Sequence, residues 1–385
     1  MDSGLNNLDE TDSVFDAIRS FNDTEVSSAL ARLTQNSKLL SVFGTNSSET
    51  QIETSQLKTI KTITEFQAWM QTLVRPILSN TVTSLHVSGL EMLQPDQSHI
   101  FISNHRDIIM DPLLINVSLL DNGFQSAHCA IGDNLLNTEA SRLLSGLNNC
   151  FKVVRSLTSP KAMLKAMKLQ SEYIRHLHFQ KNQQVWIAQK EGRAKDNKDL
   201  TNPALIKMLS LAKDREVAPN DYLSTLNIVP VSISYEWDPC DTEKAIQLSQ
   251  KANSSNYQKH ENDDIQAIQK GLFGNKGRIS VAFGEVIKPY DTSVLNRYEV
   301  ANRIDTFIHK HYRIFESNFA AYELLGADSI TRSEIEETLS PKEIINARES
   351  LLRRTENLET DVRQRLLHAY AEPFLAKYKE QINLK

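Results

Sequence analysis

A chain of 385 residues in which 40% of the side chains are apolar can bury a full α/β core. Its formal net charge of −5, from 43 basic and 48 acidic residues, excludes a general nucleic-acid binder, whose phosphate-neutralising lysines and arginines show in the total. Three widely spaced cysteines, Cys129, Cys150 and Cys240, fit neither a disulfide framework nor a metal-ligand spacing, and they indicate a reducing cytoplasm.

The segment up to residue 56 is polar, and its acidic start lacks the basic and then apolar pattern of a secretory signal. Within it Val14, Phe15, Ile18 and Phe21, then Val26, Leu30, Leu33 and Leu40, recur at helical intervals and predict two short docking helices. The following "ITEFQAWMQTLVRPIL" predicts a longer amphipathic helix interrupted at Pro76. Its stripe of Phe66, Trp69, Met70, Leu73, Val74 and Ile77 reads first as core-facing. A helix lying in a lipid interface is the alternative. No apolar run approaches the ~20 residues of a membrane-spanning helix, so any membrane contact is expected to be peripheral.

Short apolar strands then alternate with helices: "LHVSG", "HIFIS", "CFKVV", "QVWIA", "IVPVSISY" and "RISVAFGEVI", each rich in Val, Ile, Phe or Trp. Between them "SPKAMLKAMKLQSEYIRHLHFQ" reads as a helix capped by Thr158 or Ser159, with Pro160 in its first turn. This alternation predicts an α/β fold: a mixed, largely parallel sheet flanked by helices. Pro230 is expected at a sheet edge, a strand start or a bulge. Residues 251–266 read as an exposed loop, and 326–385 as a charged helical tail. The organisation is then a helical extension over 1–56, a main domain over 57–325 and the tail.

The chemistry gathers in "FISNHRDIIMDP". His105 closely follows a strand, and Asp111 directly before Pro112 fits an N-cap aspartate with proline opening the helix. Strand-to-helix turns at carboxyl ends line the crevice of open α/β sheets, a place suited to a catalytic histidine. A carboxylate partner orients such a ring and stabilises its imidazolium. The bland reading is a structural histidine beside an ordinary helix cap. "HRD" alone does not make a kinase: Pro112 stands where that loop needs asparagine, and there is no "DFG" and no glycine-rich nucleotide loop.

Further along, "VWIAQKEGRAKDN" puts Lys190, Glu191, Gly192 and Arg193 after a strand, and "CFKVVRS" ends another strand at Arg155. Basic side chains beside a glycine at a strand end suit a phosphate, although each string alone is also an ordinary charged loop.

In their order, "SNHRDIIMDP", "FKVVRS", "QKEGRAKDN" and "IVPVSISYE" resemble the four blocks of the glycerolipid acyltransferase family, which includes glycerol-3-phosphate and 1-acyl-glycerol-3-phosphate acyltransferases. The resemblance covers about residues 60–320, and "FDAIRSFNDTEV" resembles the N-terminal extension of a bacterial branch. Two spacings depart from the family pattern. Asp111 lies one residue later than the usual aspartate, which leaves Asp107 as an alternative partner of His105. Arg193 follows Gly192 directly, where the family has one residue between.

The resemblance implies O-acyl transfer from acyl-CoA or acyl carrier protein to a lysophospholipid hydroxyl, 1-acyl-glycerol-3-phosphate foremost, giving phosphatidic acid. His105 would be the general base, oriented by Asp111 or Asp107. Arg193, with Lys190 or Arg155, would hold the acceptor phosphate, while Glu191 and Gly192 shape its pocket. Arg106 or the amides near Pro112 would face the oxyanion. Neither cofactor nor metal is implied, and the expected place is the cytoplasm, peripheral to the inner face of a membrane. The competing class is a non-catalytic lipid- or partner-binding member of the fold; a lipid hydrolase is disfavoured by the lack of a G-x-S-x-G elbow.

Overall fold

The computed structural model describes residues 13–35, 54–155, 157–253, 263–289, 295–327, 330, 332–335 and 339–383. In chain order the main elements are α1 (Asp23–Thr34), α2 (Ile63–Thr81), β1 (Val82–Ser88), β2 (Ile100–Ser103), α3 (Met110–Asp121), β3 (His128–Gly132), α4 (Glu139–Leu147), β4 (Cys150–Val153), α5 (Pro160–Arg175) and β5 (Val185–Ala188). There follow α6 (Pro203–Leu209), α7 (Pro219–Thr225), β6 (Ile228–Tyr235), α8 (Asp241–Asn253), α9 (Asp263–Phe273), β7 (Gly277–Phe283), α10 (Arg297–His311), α11 (Glu316–Leu324), α12 (Pro341–Thr355) and α13 (Thr360–Lys377).

The strands form one seven-stranded sheet in the order β1-β7-β6-β2-β5-β3-β4. Every neighbouring pair is parallel except β6 and β7, which gives the mixed, largely parallel sheet that the alternation predicts. Period-two alternation divides its side chains between two cores. On β2, Ile100 and Ile102 join Ile174, Leu223 and Ile304 on one face, while Phe101 joins Met110, Leu114 and Val281 on the other.

Two local expectations are corrected. Pro230 sits in a central strand, not at an edge, a strand start or a bulge. Its carbonyl accepts from Gly284 N–H at 2.9 Å, where the chain has just left β7, so the missing proline N–H faces the end of that ladder and breaks no bond of it. Pro76 does not interrupt its helix; it and Thr72, whose carbonyl it leaves without a helical donor, are both exposed residues. The strand β3 went unpredicted. On the stripe of α2, Phe66 and Val74 are buried and Trp69 and Met70 pack against the N-terminal cluster, so this face looks inward.

In the N-terminal segment the helix over Val26 to Leu33 is present, closed by a capping box of Asn22 and Glu25. The stretch through Val14 and Ile18 is a series of turns, and Leu40 lies outside the described residues. Its chain runs along β4, where Ile18 O accepts from Lys152 N–H at 2.8 Å and covers an otherwise open edge. Within the expected loop, α8 extends to Asn253 and α9 begins at Asp263; residues 254–262 lie outside the described ones. The C-terminal helices pack a core of their own around Tyr322, Phe374 and Tyr378, which draws on residues on both sides of 326.

Candidate active site

The turn after β2 is fixed first by Asn104. Its side chain is fully buried, donates to Ile233 O and accepts from Ile233 N–H, both at 2.8 Å, and so continues the β2–β6 pairing past the last ladder residue. His105 follows directly. Its Nδ1 lies 2.7 Å from Asp111 Oδ2, and its ring stands edge-on to Trp186 at 5.8 Å. Trp186 is held in turn by Nε1–H donating to Ser103 Oγ at 3.0 Å.

Asp111 is wholly buried and accepts from four donors: His105 Nδ1, Arg106 N–H at 2.6 Å, Asp107 N–H at 2.9 Å and Tyr235 Oη at 2.7 Å. Burial alone would raise its carboxyl, but the hydrogen bond and charge of His105, with the Asp107 amide and Tyr235, hold it below the usual carboxylate range. An ionised Asp111 can only accept, so Nδ1 of His105 carries a proton and donates it to the carboxylate. Tyr235, at the end of β6, is pushed far up by burial and by the Asp111 charge and stays a donor.

This corrects the expected N-cap. The helix α3 begins at Met110, so Asp111 and Pro112 lie within its first turn. The N-cap position is Ile109, without a side-chain cap; Asp107 instead closes the turn into the helix, its Oδ1 accepting from Ile109 and Met110 N–H, each at 2.9 Å. Its other oxygen is buried without a hydrogen-bond partner, and burial, joined by the neighbouring Asp111 charge, raises the carboxyl. The structure therefore brings Asp111, not Asp107, to His105.

Arg106 is also placed otherwise than expected. Its guanidinium, 3% exposed, makes two 2.6 Å bonds to Asp199 beneath the turn, beside the Tyr312 ring. It holds the turn down, its guanidinium paired within the protein. The amides of residues 106, 107, 109 and 110 are committed to Asp111 and Asp107, so none of them is free for an oxyanion.

The loop after β5 links His105 to the far strands. Ala194 N–H donates to His105 O at 2.8 Å, and Glu191 lies 3.8 Å from Arg155 Nε at the carboxyl end of β4. Gly192 takes φ +76°, a backbone that other residues rarely adopt, and thereby turns the loop. Arg155 is braced by its own N–H donating to Asp133 at 3.3 Å. Two basic candidates depart from the cluster: Lys190 Nζ is bound to Lys198 O at 2.5 Å, and Arg193 points under α9, 3.9 Å from Asp264, with Nη1 buried and unpaired. The loop thus delivers the Arg193 side chain to α9. Asn104, Trp186, Asp199 and Tyr235 were not singled out from the sequence; only the quoted "IVPVSISY" held a sign, a tyrosine closing a buried strand.

Among the described residues no group of three or more His, Cys, Asp or Glu could hold a metal ion. No described helix is long and apolar enough to cross a membrane.

Residues 84–234 match the family model described as Acyltransferase, and all four blocks begin within that span. The stretch is an acyltransferase-family domain. Among solved structures, the chain is similar to the 1-acyl-sn-glycerophosphate (LPA) acyltransferase PlsC from Thermotoga maritima, at 12% identity and a TM-score of 0.35, covering 74% of this chain and 91% of that one. No curated protein matches.

Proposed function

We propose that the protein transfers a fatty acyl group from acyl-CoA or acyl carrier protein to the hydroxyl of a lysophospholipid, 1-acyl-glycerol-3-phosphate foremost, with phosphatidic acid as product. The observation that carries the reading is the His105–Asp111 pair, held by four donors on one carboxylate inside an acyltransferase domain. Nε2 of His105 takes the proton as the acceptor oxygen attacks the thioester carbonyl. The tetrahedral intermediate then collapses with cleavage of the C–S bond, and the imidazolium proton passes to the departing thiolate. No acyl-enzyme is needed. Arg155 is the cation that meets the acceptor phosphate, and Glu191 and Gly192 shape the loop between it and His105.

The test is thiol release from acyl-CoA, and from acyl carrier protein in parallel, with lysophosphatidic acid as acceptor. His105→Ala should lose about 10²–10⁴-fold, the usual worth of a general base. A folded protein that acylates no acceptor would overturn the reading in favour of a lipid-binding member of the fold.

A further inference from the structure

The run from Cys150 to Ser171 contains Lys152, Arg155, Lys161, Lys165 and Lys168 and no acidic residue, in a chain whose net charge is −5. A charge run on a helix is ordinarily a solvated face, so its geometry decides what it means. At 100° per residue, Lys161, Leu164, Lys165 and Lys168 fall within one arc of α5, and all four are exposed. The opposite arc, with Tyr173 and Ile174, is buried against the sheet. Leu164, 57% exposed among three lysines, has no core to join, and Leu157, just before the helix, is 36% exposed.

Lys161 and Lys165 make no ion pair among the described residues; Lys168 lies 3.6 Å from Glu172, one turn on. The helix starts at the carboxyl edge of the sheet, following Arg155, so the patch runs from the site's own edge back over about 10 Å. Such a face, the outer side of a single helix, is convex. A protein partner anchors in pockets and complementary clusters, whereas leucines ringed by lysines on a convex helix suit the boundary of a bilayer.

We infer that the exposed face of α5, with Leu157 and Leu164 dipping between Lys161, Lys165 and Lys168, seats the protein on an anionic lipid surface. The stripe of α2 is turned to the core and does not serve. The inference rests on no catalytic assignment, because binding is read without turnover.

The experiment is co-sedimentation of the full chain with phosphatidylcholine vesicles, with and without phosphatidylglycerol, at low and high salt. Expected are binding only to the anionic vesicles and release by salt. Lys161→Gln/Lys165→Gln/Lys168→Gln should weaken it about 100-fold, from about fivefold per lysine. The same charge change at exposed Lys207, Lys251 and Lys342 should weaken it far less. Leu164→Ser should weaken it with the charge unchanged. Equal binding to neutral vesicles, equal losses in both triple variants, or capture of an acidic carrier protein in place of vesicles would overturn the inference.

Discussion

Tyr235 lies 124 residues from Asp111 in sequence, yet its hydroxyl is the only donor to Asp111 Oδ1 among the described residues. In Tyr235→Phe that oxygen keeps its charge and burial and loses its partner, a change that costs about 10- to 100-fold for a bond to a charged group. The carboxylate becomes more basic and holds the imidazolium more tightly, so the acidic limb of the kcat/KM profile should move to higher pH. Asp107, Asp238, Arg106, Lys244 and Arg193 surround the same turn and are untouched by the substitution. An unchanged profile with reduced stability would make Tyr235 a packing residue only. The two aspartates separate in the same assay: Asp111→Asn should be nearly inactive, while Asp107→Asn, which keeps the oxygen that closes the turn, should retain most activity. The reverse result would move the partner role to Asp107.

At the scale of elements, α9 bears on the turn. Gly271 of this helix lies so close that a β-carbon there would overlap the Asp107 carboxylate. Gly271→Ala should therefore lower activity, with thermal stability reduced by about 1–3 kcal/mol as in other overpacked sites, although Gly271 touches no reacting atom. Full activity in that variant would show that α9 yields instead. Elements were legible from the sequence where the period was strong: β2, β5 and β6 are runs of Val, Ile, Phe and Trp, and α5 opens on its serine–proline signature. The strand β3, His-Cys-Ala-Ile-Gly, has one β-branched residue in five and was invisible. The motif gave His105 and Asp111, but the burial of Arg106 depends on Asp199, 93 residues away, and no local pattern announces such a partner. Likewise, which residue caps α3 depends on where the helix starts, the least certain feature of a helical pattern.

For the molecule as a whole, buried histidines far from the turn contribute to the response to acid: His99 and His311 are lowered by burial, and His128 and His178 most clearly. Burial pushes His128 down to about 4 against a hydrogen bond with Gln183, and His178 to about 4 against one with Thr225 O. Both bridge distant segments: His128 Nδ1 meets Ser20 of the N-terminal segment at 3.3 Å, and His178 Nδ1 meets Ser98 at 2.7 Å. Their folded values lie below the unfolded value near 6.5, so between pH ~6.5 and ~4 the unfolded chain binds more protons and stability falls as pH falls. Each contributes about 1 kcal/mol per pH unit across that window. Asp107, Asp241, Asp305 and Glu372, raised by burial, act in the opposite sense as they take up protons first in the fold. The absolute slope therefore mixes both groups, and the informative quantity is a difference. Urea midpoints measured from neutral pH down to about 4 should fall less steeply in His128→Asn and in His178→Gln than in the unmodified protein, each by about one proton. Parallel slopes would mean that these rings are charged, or reached by water, in the folded chain.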